Sequence, residues 1–199
     1  SYSDVIVGGP PCQGFSLTGP RNIDDPRNEL YLSIFKTLKK VKPKAFLVEN
    51  VRGLMTMWGG QVFKAIIKKF ESAGYNVNFQ LMNSAEYGVP QIRHRVFIVG
   101  IKKELKKIYK FPKKEFKKED YISCEEAIGN VPSLENELKQ SDLTYKIKPT
   151  TNYQKYVMDS NILYNHVATA HKDFVKKTIA LVPEGGNHKD LPKGIGESR

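Results

Sequence analysis

Four short apolar runs alternate with two stretches in which apolar residues recur every three or four positions. The runs lie at 4–7 (Asp4-Val5-Ile6-Val7), 45–48 (Ala45-Phe46-Leu47-Val48), 75–81 and 96–101. Three of them are short and almost uniformly apolar, as in strands buried on both faces. Residues 75–81 instead alternate with period two, the pattern of a half-buried strand. Leu30, Ile34, Leu38 and Val41, with Phe35 alongside, mark a helical stripe between the first two runs. Asp25 suits its N-cap, Pro26 its first position, and Pro43 its end. Val62, Phe63, Ile66, Ile67 and Phe70 mark a second helix, with Gly74 placed to close it. Strand, helix, strand, helix, strand, strand is the rhythm of an open α/β sheet, parallel first and antiparallel at its end.

Beyond residue 101 the pattern loosens. Residues 102–118 hold nine lysines against two glutamates, which reads as a solvated, mobile connector whose charge is compatible with phosphate contact. A short helix is expected near 123–129 and a further helical region over 161–182. The boundary is placed at 1–120 for the α/β unit and 121–199 for a second region.

Charge and cysteine content narrow the function classes. The formal net charge is +11, which favours a polyanionic partner, nucleic acid first and a membrane surface second. No apolar stretch approaches the roughly 18–20 residues that span a bilayer, and a basic-then-apolar leader is absent. Two cysteines do not make a disulfide framework and favour a reducing cytoplasm. His94, His166, His171 and His188 lack metal-ligand spacing, so no metal is expected.

In open α/β sheets ligands sit beyond the carboxyl ends of the strands. Three clusters fall near strand ends: Cys12 in "GGPPCQGFS", Glu49-Asn50 after the second run, and Gln91, Arg93 and Arg95 before the last. Each has a plain alternative. Cys12 could be a small buried hydrophobe on a tight turn, Glu49 a surface charge or helix cap, and 91–95 an exposed basic strand. Alternation puts Gln91, Arg93 and Arg95 on one face. Together the clusters would join a thiol, a carboxylate and two guanidinium groups. A thiolate adds to the electron-poor C6 of a pyrimidine, while a carboxyl group shared with N3 and N4 and arginines near O2 fit cytosine. C5 then becomes enamine-like and can attack an electrophilic methyl group. Nearby arginines favour the thiolate.

"GGPPCQGFS", "DPRNELY", "ENVRGL" and "NSAEYGVPQIRHRVFIVG" resemble, in order and rough spacing, the motif set of C5-cytosine DNA methyltransferases. The "NH…H…PEGGN…LP" tail is similar to a later segment of that family. The resemblance implies a Rossmann-like α/β sheet of an S-adenosylmethionine-dependent enzyme, with 121–199 the connecting helices and start of a target recognition region. It implies that Cys12 is the nucleophile, that Glu49 holds N3 and N4, and that Arg93 and Arg95 face O2, the carboxylate and phosphate. Pro11 and Leu30 would lie against S-adenosylmethionine. Residues 13–27, with Gln13 and Ser16, would be the mobile loop closing over DNA. Asn50, Val51 and Gln91 would line the base pocket and its support. The partner implied is duplex DNA, with the target base flipped out because stacking shields C5 and C6, at a cost of about a few kcal/mol.

The departures from the family are as specific. Its glycine-rich donor loop precedes the Pro-Cys motif, and only three residues precede the first run here. Most of the target recognition region and the late motifs are also missing. The chain is therefore expected to be the catalytic middle of an enzyme, binding the methyl donor poorly alone, with a separate polypeptide segment a candidate source of the rest. A bacterial restriction–modification enzyme in the cytoplasm, near the nucleoid, is the setting implied. A transfer-RNA methyltransferase and a catalytically silent DNA-binding remnant are the alternatives.

Overall fold

The computed structural model describes residues 2–10, 31–134, 143–145 and 147–195. The chain divides into two compact units, Ser1–Ala127 and Ile128–Arg199.

The first unit is built on a four-stranded sheet. Its elements are β1 (Val5–Gly8), α1 (Tyr31–Val41), β2 (Ala45–Val51), α2 (Gly53–Thr56), α3 (Gln61–Ser72), β3 (Tyr75–Asn83), β4 (His94–Lys102) and α4 (Cys124–Ile128). The strand order is β1-β2-β4-β3. β1 runs parallel to β2, while β4 is antiparallel to both β2 and β3. All four expected strands are present, and β2 continues past the expected 45–48 so that Glu49 and Asn50 lie within it. The helix start expected at Asp25-Pro26 falls outside the described residues.

Directly opposed residues of neighbouring strands share a face. Phe46 and Val48 of β2 therefore point the same way as Val96 and Ile98 of β4, and all four are buried with Leu38 of α1 and Phe63, Ile66 and Phe70 of α3. The Phe46 ring is the hub, 4.8 Å from the Phe70 centroid and 5.1 Å, edge on, from Tyr75. Such pairs add about 0.5–1.5 kcal/mol each beyond their buried area. Tyr75 is buried yet satisfied, its hydroxyl donating to the Pro43 carbonyl at 2.9 Å. Desolvation, and then the Glu104 charge, push its phenol pKa up. Gly100 faces Phe46 across the β2–β4 ladder, and a Cβ there would collide with the ring.

The lysine-rich segment is fastened down. Asn76 and Asn78 project from the same face of β3 and donate to the carbonyls of Lys107 (3.1 Å) and Tyr109 (3.0 Å). The Tyr87 hydroxyl donates to Pro112 O, and the Glu115 and Phe116 amides both donate to Glu86 O. Phe116 presses on Gly88, whose φ of +81° and lack of a side chain admit the ring. Composition alone gave a loose connector, because solvated lysines dominate it. Its anchors are main-chain carbonyls and amides, which every sequence has, met by amides and carbonyls more than twenty residues away.

The second unit holds β5 (Leu143–Thr144), α5 (Asn152–Val157), β6 (Ile162–Leu163) and α6 (Asp173–Ala180), with β5 and β6 antiparallel. Thr151 and Gln154 form a capping box at the start of α5. The helical region expected over 161–182 is corrected: only Asp173–Ala180 is helical, and 162–163 pair as a strand. Asn165 takes a left-handed turn (φ +55°), which ends any helical run there. No described helix is long and apolar enough to cross a membrane.

Two outcomes follow from these contacts. Gly100→Ala should destabilise the first unit by about 1–3 kcal/mol through overpacking against Phe46, measured as a lowered midpoint in urea. Asn76→Ala with Asn78→Ala should leave that midpoint much less changed while speeding tryptic cleavage after Lys106, Lys107 and Lys110, read by mass spectrometry.

Candidate active site

Glu49 and Arg95 reach one point from two strands. Val51 of β2 is paired with Arg95 of β4, and Glu49 with Phe97. Odd-numbered residues of both strands share the face away from Phe46, so Glu49 and Arg95 are diagonal neighbours. The Arg95 Nε lies 2.8 Å from Glu49 Oε1, and its Nη1 donates to the His94 carbonyl at 2.8 Å. The guanidinium is thus fixed at two of its nitrogens. The side chains are 23% and 37% exposed, so the pair contributes at most about 1 kcal/mol to stability. What it fixes is the direction of the carboxylate.

The turn after β1 arrives at the same point. A Cβ on Gly9 would sit 3.4 Å from Glu49 Oε2, so the bare backbone passes against the carboxylate. Asn50 points to the other face, where it is buried. Its Nδ2 donates to the Pro10 carbonyl (3.2 Å), and its Oδ1 accepts the Val51 amide (2.8 Å). Asn50 thereby ties the end of β2 to the residue two before Cys12. Pro11, Cys12, Gln13, Ser16 and Leu30 lie outside the described residues.

The sequence placed Gln91, Arg93 and Arg95 on one strand face, and this is corrected. β4 begins only at His94. Gln91 donates its amide to Val89 O at 2.7 Å, closing a tight turn centred on Pro90, and Gln91 and Arg93 are exposed. Arg95 alone keeps the strand alternation. Val51 is half-buried at the end of β2.

Asn83 is a residue that sequence reasoning left unassigned. It is buried, and its Oδ1 accepts the amides of Arg93 (3.1 Å) and Ala85 (3.4 Å) while its Nδ2 donates to the Tyr121 hydroxyl (3.2 Å). Ser84 completes the clamp: its amide donates to Arg93 O, and its hydroxyl to Gln91 O at 2.8 Å. The main chain that carries Arg93 is therefore held from β3. The signal was readable, since Asn followed by Ser-Ala-Glu is an N-capping pattern for the short helical turn Ser84–Tyr87. Among the described residues, no group of three or more His, Cys, Asp or Glu is placed to hold a metal.

Chemically, this end of the sheet offers a fixed carboxylate, a guanidinium bound to it and a second arginine nearby in sequence, beside the turn leading to a thiol. The family model for C-5 cytosine-specific DNA methylases matches residues 1–190. The type II methyltransferase M.DdeI of Desulfomicrobium norvegicum is 38% identical over 96% of this chain and 48% of its own length. M1.HphI of Haemophilus parahaemolyticus is 32% identical over 96% of this chain and 46% of its own. The chain thus spans about half the length of these curated relatives. A crystal structure of a protein described as a DNA modification methyltransferase encoded within an E. coli prophage superposes with a TM-score of 0.64. The match has 27% identity and covers 90% of this chain and 55% of that one.

Asn83→Ala leaves two amides and a phenol without their partner and should cost about 1–3 kcal/mol. Asn83→Asp keeps both acceptor contacts and should recover most of that loss, with urea titration of the two variants as the measurement.

Proposed function

We propose, since this chain belongs to the C-5 cytosine-specific DNA methylase family, that it carries the catalytic residues of a DNA cytosine-5 methyltransferase of a restriction–modification system. The observation that carries the reading is the Glu49 carboxylate held 2.8 Å from Arg95 Nε, against the turn that leads to Cys12. In this reading residues 1–120 are the catalytic part, and 121–199 begin the target recognition region.

The chemistry then assigns roles. The Cys12 thiolate attacks C6 of a cytosine flipped from the duplex, and the new S–C6 bond makes C5 nucleophilic. Glu49 holds N3 and N4, the side of the ring where charge develops as the thiolate adds. Arg95 keeps that carboxylate aimed, and Arg93 on its clamped turn faces O2 or a flanking phosphate. Asn50 holds Pro10, so the backbone leading to Cys12 starts from a fixed point. Gln13, Ser16 and Gln91 contact the DNA around the base. Bound S-adenosylmethionine, against Pro11 and Leu30, supplies the methyl group that ends on C5. Loss of the C5 proton and cleavage of S–C6 return the thiolate.

The test uses the full open reading frame that encodes this chain, with S-adenosylmethionine and duplex DNA containing 5-fluorocytosine. Fluorine at C5 cannot leave as a proton does, so a covalent protein–DNA adduct should persist on a denaturing gel and vanish in Cys12→Ala. With ordinary cytosine, Glu49→Gln should slow methyl transfer by about 100-fold or more. No adduct with any duplex would favour the silent DNA-binding alternative, and an adduct with RNA alone would make the enzyme an RNA methyltransferase.

A further inference from the structure

We propose that residues 106–118 form a phosphate-binding strap that carries the backbone of duplex DNA along β3 toward the Glu49–Arg95 end of the sheet. The proposal rests on the DNA reading above. Three of the nine lysines in 102–118 have partners: Lys102 with Glu104 (3.0 Å), Lys103 with the Glu71 carbonyl (3.2 Å) and Lys114 with Glu86 (2.7 Å). The other six, Lys106, Lys107, Lys110, Lys113, Lys117 and Lys118, are exposed and pair with no carboxylate among the described residues. Tyr109 and Phe111 are half-buried, their rings edge to face at 5.0 Å, and Phe116 sits on Gly88. Aromatic anchors turn inward and ammonium groups outward.

The fastening matters as much as the charge. A free lysine tail must give up backbone entropy for every residue that it orders on a ligand. Here five hydrogen bonds to Asn76, Asn78, Tyr87 and Glu86 have already ordered the main chain. The strap runs beside β3 from Asn76 toward the turn at Glu86–Gly88, and the strand part of that path, Asn76–Asn83, spans roughly 23 Å at about 3.3 Å per residue. A duplex presents one phosphate charge per ~1.7 Å of axis over such a length. The strap also ends at the turn that Asn83 and Ser84 join to Arg93. A membrane surface fits less well, because the aromatic side chains that would enter it are turned into the protein, leaving Ile108 and, just ahead of the strap, Leu105 as the exposed apolar side chains among the lysines.

The experiment is a fluorescence-anisotropy titration of the full 199-residue chain with a random-sequence duplex across a salt series, without methyl donor. Lys106→Gln/Lys107→Gln/Lys110→Gln should flatten the slope of log K against log salt by about 2–3, at about 0.9 per phosphate released, and weaken low-salt binding about 10- to 100-fold. Lys113→Gln/Lys117→Gln/Lys118→Gln should act similarly. The control Lys36→Gln/Lys64→Gln/Lys68→Gln makes the same charge change on α1 and α3 and should leave the slope near that of the unmodified chain. An unchanged slope in both strap variants, or an equal change in the control, overturns the strap. So does unchanged duplex binding alongside lost binding to phosphatidylserine vesicles. An unmodified chain that binds no duplex overturns the strap, and a missing 5-fluorocytosine adduct in the full-length protein is the separate failure that overturns the DNA enzyme.

Discussion

The reversed strand β4 decides what this sheet can do. It lies between β2 and β3 and runs against both, so its beginning meets the end of β2. The pairing of Val51 with Arg95 follows, and with it the Arg95–Glu49 contact. Had β4 run parallel to β2, Arg95 would sit at the opposite edge, roughly 20 Å away along a seven-residue strand. One strand direction thus brings together a carboxylate and a guanidinium that lie 46 positions apart in sequence.

β2 separates its two tasks by alternation. Phe46, Val48 and Asn50 face the helices and are buried, while Leu47, Glu49 and Val51 face the other way. A one-residue slip would put Glu49 into the Phe46–Phe70 core and expose the phenylalanine. The register is therefore fixed by the apolar face, and the ion pair inherits its geometry from packing that it does little to stabilise. A partly exposed pair with a small contribution of its own can be broken and remade at little cost to the fold.

The four strands of the first unit and its two long helices, α1 and α3, were legible because burial imposes apolar runs or a period of two or 3.6 on the sequence, and Gly74 and Pro43 mark the ends. Glu49 and Arg95 were legible as strand-end polar residues. The turn that carries Gln91 and Arg93 was not, since Pro90 and the Asn83 clamp hold that stretch out of the strand before the ladder begins. Residues 161–172 also misled, because apolar side chains at helical spacing say nothing about a left-handed Asn165. The fastening of 102–118 left no periodic trace, as its partners are main-chain groups.

Those unread contacts share a chemistry. Asn50 holds Pro10, Asn76 and Asn78 hold the lysine strap, and Asn83 holds the turn of Arg93. An amide side chain can donate to a carbonyl and accept from an N–H at once, without carrying charge. A carboxylate or lysine in the same places could fix one kind of main-chain group, and would add its field to a site already built from opposite charges. Neutral amides position the turns while leaving Glu49, Arg93, Arg95 and the exposed lysines to set the potential. The division explains why a strongly basic chain can hold cationic segments tightly in place: the bonds that secure the strap leave six of its ammonium groups in water, available to an anionic partner.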